Sequence, residues 1–214
     1  MIQVKNLHLM HKKDLRTILD DFSFALNPGD KAVVIGEEGN GKSTLLKWLV
    51  NPALVEDYVE AEGERITGGA RIGYLPQELP EEEKGRTIYE FFCEEEEFFL
   101  QDPGELGRLA KELGLPADFY YGEQKMYTLS GGEKAKIFLL KMNLSGANVL
   151  ILDEPTRNFS PLSNPVIRQV LRDFGGAIIS ISHDRKYIGE VCETIYQLTE
   201  DGLRRVTQDD FSVK

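Results

Sequence analysis

Short apolar runs punctuate the chain at Val33 to Ile35, Val149 to Leu152 and Ala177 to Ile181. They lack polar alternation, the pattern of strands buried on both faces of a sheet. Helix-length segments stand between them at Gly41 to Asn51, Ser130 to Leu144 and Asn164 to Phe174. Strand and helix therefore alternate as in an α/β fold with a mainly parallel central sheet. The opening stretch reads differently. Ile2, Val4 and Leu7, then Phe22, Phe24 and Leu26, alternate as half-buried strands do and predict an N-terminal antiparallel side sheet. From Glu78 to Tyr127 the strand signal fades and the sequence becomes charged and helical, with Thr87 and Glu90 spaced as a capping box. A helical subdomain, about 78–128, is thus expected within the core. No repeat is visible, so 1–214 reads as one domain. The stretch from Thr194 to Phe211 carries no pattern that assigns it to an element.

Composition narrows the class. A chain of 214 residues, 41% hydrophobic and 29% charged, can bury one substantial core. Its longest apolar runs fall far short of a membrane span, and Met1 leads straight into a strand-like segment rather than a leader, so a soluble, cytoplasmic protein is expected. Cys93 and Cys192 lie in unrelated segments without metal-ligand spacing and read as reduced, packed thiols. A formal net charge of -11 repels a phosphate backbone, so stand-alone nucleic-acid binding is not expected. The acidic runs Glu81 to Glu83 and Glu94 to Glu97 read as solvated faces.

The chemistry begins at Gly36-Glu37-Glu38-Gly39-Asn40-Gly41-Lys42-Ser43-Thr44, which follows an apolar strand, precedes an apolar helix and fits G-x-x-x-x-G-K-[ST] in full. Gly36, Gly39 and Gly41 let the backbone curl, so that successive amides, those of Asn40 and Thr44 among them, and the helix N-terminus face an anion. Lys42 supplies a full charge for the outer phosphates, and Ser43 can offer its hydroxyl to Mg2+. A bare glycine turn explains the glycines but not the Lys-Ser pair. ATP or GTP is the expected ligand.

Val149 to Leu152 then runs into Asp153-Glu154-Pro155, a buried strand ending in two carboxylates. Such charges are costly to bury unless paired, and a metal and a water would pair them. Asp153 fits the Walker B role of holding Mg2+ through its water shell, and Glu154 is placed to orient or deprotonate the attacking water. Upstream, Leu129-Ser130-Gly131-Gly132-Glu133-Lys134 opens a helix. Ser130 and Glu133 form a capping-box pattern, yet the paired glycine is wasteful for a cap unless an anion comes close.

That segment resembles the LSGGE signature of the ABC ATPase family, in the order P-loop, signature, Walker B. The resemblance spans roughly Ile2 to Asp201. It implies a P-loop NTPase fold of the ABC cassette type. It also implies that Gln77, in Gly73-Tyr74-Leu75-Pro76-Gln77, is the Q-loop glutamine contacting Mg2+ and the attacking water, and that His183, in Ser182-His183-Asp184, is the switch histidine sensing the γ-phosphate. Two cassettes of this family close head to tail around ATP. Lys42, Ser43, Gln77, Asp153, Glu154 and His183 would then serve one nucleotide, while Ser130, Gly131 and Gly132 grip the nucleotide of the partner cassette.

The sequence departs from the family pattern twice. Between Met1 and Asp21 no Phe, Tyr or Trp is available to stack on adenine, and His11 is the nearest candidate. After Thr156-Arg157-Asn158-Phe159, Ser160 stands where the family has a D-loop aspartate, which implies altered coupling between sites and slow turnover. The GYLPQ segment, the LSGGEK signature and EPT after Walker B are most similar to the ABC-F group. That similarity implies a ribosome-associated factor, with this chain as one half of a two-cassette protein or a free-standing cassette. The ATPase subunit of a membrane transporter, receiving a transmembrane partner near Gln77 to Leu100, and a dimerisation module that binds ATP but barely hydrolyses it are the competing readings.

Overall fold

A computed structural model describes residues 1–157, 159, 161–199 and 202–207. The chain opens with β1 (Ile2–His11) and β2 (Thr17–Leu26), an antiparallel pair in which buried Ile2, Val4, Leu7 and Leu9 alternate with more exposed positions. β3 (Lys31–Gly36) leads into α1 (Lys42–Val50), and β4 (Val59–Ile66) returns to pair antiparallel with β1. These strands form a side sheet in the order β2-β1-β4. β4 was not foreseen: its sequence, VEAEGERI, is exposed at most positions, as suits an edge strand guarded by charge.

β5 (Ile72–Leu75) opens the helical stretch, which holds α2 (Glu81–Lys84), α3 (Ile88–Phe92), α4 (Glu96–Leu100) and α5 (Pro103–Glu112). The Thr87 hydroxyl accepts from the Glu90 amide and the Glu90 carboxylate accepts from the Thr87 amide, so the expected capping box starts α3. The core resumes with α6 (Gly131–Leu144), β6 (Val149–Asp153), α7 (Asn164–Asp173), β7 (Ala177–Ile181) and α8 (Arg185–Val191). The stretch that carried no readable pattern forms β8 (Thr194–Thr199) and β9 (Gly202–Val206), while Gln208 to Phe211 lie outside the described residues.

The central sheet runs β5-β6-β7-β3-β8-β9, parallel from β5 through β8, with β9 antiparallel at the edge. Every residue of β6 and β7 is buried, because helices cover one face and α1 with the side sheet cover the other. Along β6, Leu150 and Leu152 join the cluster of Phe91, Phe92, Ile137 and Leu140, whereas Val149 and Ile151 join that of Leu45, Leu46 and Trp48. Removing one such fully buried leucine side chain costs about 2–5 kcal/mol. This packing holds the ends of β3, β5, β6 and β7 side by side, and the loops after the carboxyl ends of parallel strands are where such sheets bind ligands.

Candidate nucleotide site

The loop after β3 depends on its glycines. Gly36, Gly39 and Gly41 have φ of 151°, 81° and 89°, a region L side chains rarely occupy. A Cβ on Gly36 would stand 2.4 Å from the Leu198 carbonyl oxygen, and one on Gly41 would stand 2.3 Å from Ile18 Cγ2. Gly41 is the N-cap of α1 and offers no side chain to its amides, and the first turn holds no acidic residue. The positive end of the helix dipole is thereby left open to an anion. Lys42 is 7% exposed and its Nζ donates to the carbonyls of Gly36 (2.8 Å) and Glu37 (2.6 Å). Burial pushes its pKa down, opposed by the charges of Glu154 and Asp153.

Asp153 ends β6 at 4% exposure. Burial raises its pKa, while a hydrogen bond from the Ser43 hydroxyl pulls the other way and joins the first turn of α1 to the end of β6. Glu154 follows at φ 54°, in the left-handed region, with its amide donating to the Ile181 carbonyl (2.9 Å). A non-glycine residue held there is strained, and such strain concentrates at functional sites. Burial raises the Glu154 pKa as well, against the charge of His183 and a hydrogen bond donated by the His183 backbone amide. His183 Nε2 stands 3.7 Å from Glu154 Oε1, and Asp184 behind it caps α8 by accepting from the amides of Lys186 and Tyr187.

A cleft of about 530 Å³ gathers Gly39, Gly41, Lys42, Ser43, Thr44, Gln77, Asp153, Glu154 and His183, within the usual range for a small-molecule site. Gly36 and Asn40 lie in the loop behind its lining: the Gly36 carbonyl holds Lys42, and the Asn40 amide donates to Glu37 (3.4 Å). Ser130 and Gly132 do not line the cleft, whereas Gly131 lines a smaller adjoining crevice with Gln77, Asp153 and Glu154. The Ser130 hydroxyl and Glu133 carboxylate form a capping box, which uses the amides of Ser130 and Glu133. The amides of Gly131 and Gly132 lie in the first turn of α6, a position that offers them no intrahelical acceptor. Ser160 lies outside the described residues.

His11 does line the cleft, its ring 5.9 Å from that of Tyr58. Sequence reasoning missed Arg16 and Arg157, which line it too. Arg16 donates to the Gly39 carbonyl (3.0 Å) and so braces the phosphate loop from the side sheet. Arg16 belongs to no motif, and only the fold brings the β1–β2 turn against this loop; Arg157 stands three residues after Glu154 in the D-loop segment, a signal that could have found it. Among the described residues no group of three or more His, Cys, Asp or Glu side chains could hold a metal unaided. Ser43 and Asp153, one hydroxyl and one carboxylate, do suit Mg2+, which takes few protein oxygens and completes its shell with phosphate and water.

The sequence pattern of the ABC transporter family matches residues 19–157. Ribosome protection protein VmlR of Bacillus subtilis is 29% identical over 194 residues, 91% of this chain and 34% of that protein. ABC transporter F family member 5 of Arabidopsis thaliana is 30% identical over 217 residues, 99% of this chain and 29% of that protein. The chain thus spans about a third of the length of the curated relatives it matches. A solved structure described as the ATP binding subunit of an ABC transporter superposes with a TM-score of 0.76 at 20% identity, covering 98% of this chain and 91% of that one, a likeness of fold. No helix among the described residues is long and apolar enough to cross a membrane. With its family pattern matched over well more than half its length, the chain belongs to the ABC transporter family, as an ATP-binding cassette of the ABC ATPase type.

Proposed function

We propose that the chain is a cytoplasmic ABC ATPase cassette of the ABC-F kind, which binds Mg-ATP, closes head to tail on a second cassette and hydrolyses the nucleotide to drive a conformational switch at the ribosome. The observation that carries the hydrolytic reading is the convergence of Lys42, Ser43, Gln77, Asp153, Glu154 and His183 on one cleft. In it, the amides after Gly39 and the Lys42 ammonium receive the phosphates. Ser43 and Asp153, with Gln77 beside them, would hold Mg2+, which would supply positive charge to offset that of the phosphates. Glu154 accepts the proton of the attacking water, and His183 keeps its carboxylate in place. The glycine amides of Gly131 and Gly132 serve the nucleotide of the second cassette, and the helical subdomain, about 78–128, ends just before that signature. Ser160 in the D-loop weakens communication between the two sites, which makes turnover slow.

The ABC-F assignment is supported by relatives named as a ribosome protection protein and as ABC transporter F family members. Glu154→Gln saturated with Mg-ATP tests it by co-sedimentation with purified ribosomes and, separately, with membrane vesicles. ATP-dependent sedimentation with ribosomes is the expected result. Recruitment to membranes bearing a transport partner, without ribosome binding, would replace it with the transporter reading.

A further inference from the structure

Each basic side chain that lines the cleft has a definable use except one. Lys42 is held by two carbonyls of the phosphate loop, and Arg16 by the Gly39 carbonyl. Arg157 lines the same cleft, and toward other described residues its side chain shows no ion pair or hydrogen bond, only the electrostatic influence of its charge on Asp153 and Glu154. Its backbone is nonetheless fixed: its amide donates to the Glu154 carbonyl (3.1 Å), and its neighbours Thr156 and Phe159 are buried at 4% and 7% exposure. Arg157 itself is exposed between these buried residues. Arg157 also lines a groove of about 450 Å³ beyond the cleft, with Gln77, Gly131 and Lys134, so it stands at the seam between the nucleotide and the N-terminus of α6.

A guanidinium at the mouth of a phosphate site, near two carboxylates but in no ion pair with a described residue, is suited to bind phosphate oxygens through two parallel hydrogen bonds. Its position three residues after Glu154 puts it beside the residues that handle the reacting end of the nucleotide. Its charge is felt by both carboxylates there, lowering the pKa of Asp153 and of Glu154.

We propose that Arg157 is a further catalytic residue, whose guanidinium contacts the terminal phosphate of ATP within the same cassette and stabilises the charge that phosphoryl transfer develops on it. The proposal rests on the nucleotide reading of the cleft. ADP lacks the phosphate in question, so Arg157 distinguishes ATP from ADP, whereas Lys42 and the loop amides serve both.

The test is equilibrium titration of the full chain with fluorescent ATP and fluorescent ADP, in the wild type, Arg157→Gln and Arg157→Lys, alongside steady-state turnover. Loss of a charge-assisted hydrogen bond makes ATP binding to Arg157→Gln roughly 10- to 100-fold weaker while ADP binding stays within about twofold. Arg157→Lys recovers part of the ATP preference, because a point charge replaces only some of the fork. The residue is exposed, so melting temperatures are expected to match the wild type. An unchanged ratio of ATP to ADP affinity in Arg157→Gln would overturn the assignment while leaving the nucleotide site intact. A wild type that binds neither nucleotide would overturn the site and this role with it.

Discussion

His183 Nε2 stands 3.7 Å from Glu154 Oε1, and the His183 backbone amide donates to the same carboxylate. The pair joins the ends of two parallel strands, since Glu154 follows β6 and its amide is held by the Ile181 carbonyl that ends β7. These contacts hold the carboxylate of the proposed base, whose backbone sits in the left-handed region.

Glu154→Gln keeps the shape of the site and removes its proposed base. ATP affinity stays near that of the wild type while turnover falls by roughly 10²- to 10⁴-fold, and the ATP-bound closed pair accumulates. Single-turnover hydrolysis with parallel nucleotide titration checks this. Hydrolysis at the wild-type rate would remove Glu154 from the role of base.

The pH dependence follows from the direction of the Glu154 shift. Burial holds its pKa above the ordinary glutamate value of about 4.3, and the base is active only when unprotonated, so the acid limb of the rate profile lies above that value. His183 pulls the pKa down. His183→Ala therefore moves the limb to higher pH as well as slowing turnover, which a profile of kcat at saturating ATP would record. A limb that moved down would contradict the assigned interaction.

Asp153 illustrates the stability cost of the site. Its folded pKa is raised, chiefly by burial, so the native state takes up a proton more readily than the unfolded chain. The contribution is favourable in acid and is lost as pH rises through the folded pKa, leaving a cost at neutral pH. Asp153→Asn should melt at a higher temperature than the wild type near neutral pH without nucleotide, with the gap closing in acid. Thermal melts across pH check it, and a less stable variant at neutral pH would contradict it.

Two glycines of the phosphate loop separate backbone strain from collision. A Cβ on Gly39 meets nothing within 4 Å, so Gly39→Ala carries only the conformational cost of a positive φ, about 1 kcal/mol. Gly36→Ala adds a 2.4 Å approach to the Leu198 carbonyl, which no rotamer relieves. Urea denaturation should find Gly36→Ala the more destabilised of the two. Equal losses would mean that β8 yields more readily than its place beside β3 implies.

Much of this was legible because the phosphate site uses local patterns. The loop, the strand ending in Asp153 and Glu154, and the capping boxes at Thr87 and Ser130 each lie within a few residues of sequence. Apolar runs marked β3, β6 and β7 because both their faces are buried. What escaped depends on distant partners. β4 is charged and exists as a strand by pairing with β1, and Ile195 and Leu198 of β8 bury themselves against a sheet assembled from remote segments. Arg16 carries no motif and joins the cleft only when the β1–β2 turn folds against it, whereas Arg157 follows Glu154 by three residues and was readable from its place after Walker B.

The absence of an aromatic stacker is legible and also structural: among the described residues lining the cleft none is Phe, Tyr or Trp, and the flat rings and guanidinium groups there are those of His11, Arg16, Arg157 and His183. ATP and GTP are therefore expected to turn over at similar rates. Steady-state hydrolysis of the two nucleotides checks this, and a sharp preference for ATP would contradict it.

The central claim, that this cleft holds the phosphates of ATP through Lys42 and the loop around it, is tested most directly by titrating a fluorescent ATP analogue into the wild type and Lys42→Ala. Lys42 carries the charge that neutralises the outer phosphates, so the account predicts saturable binding by the wild type and its loss in Lys42→Ala. Undiminished affinity in the variant would contradict it.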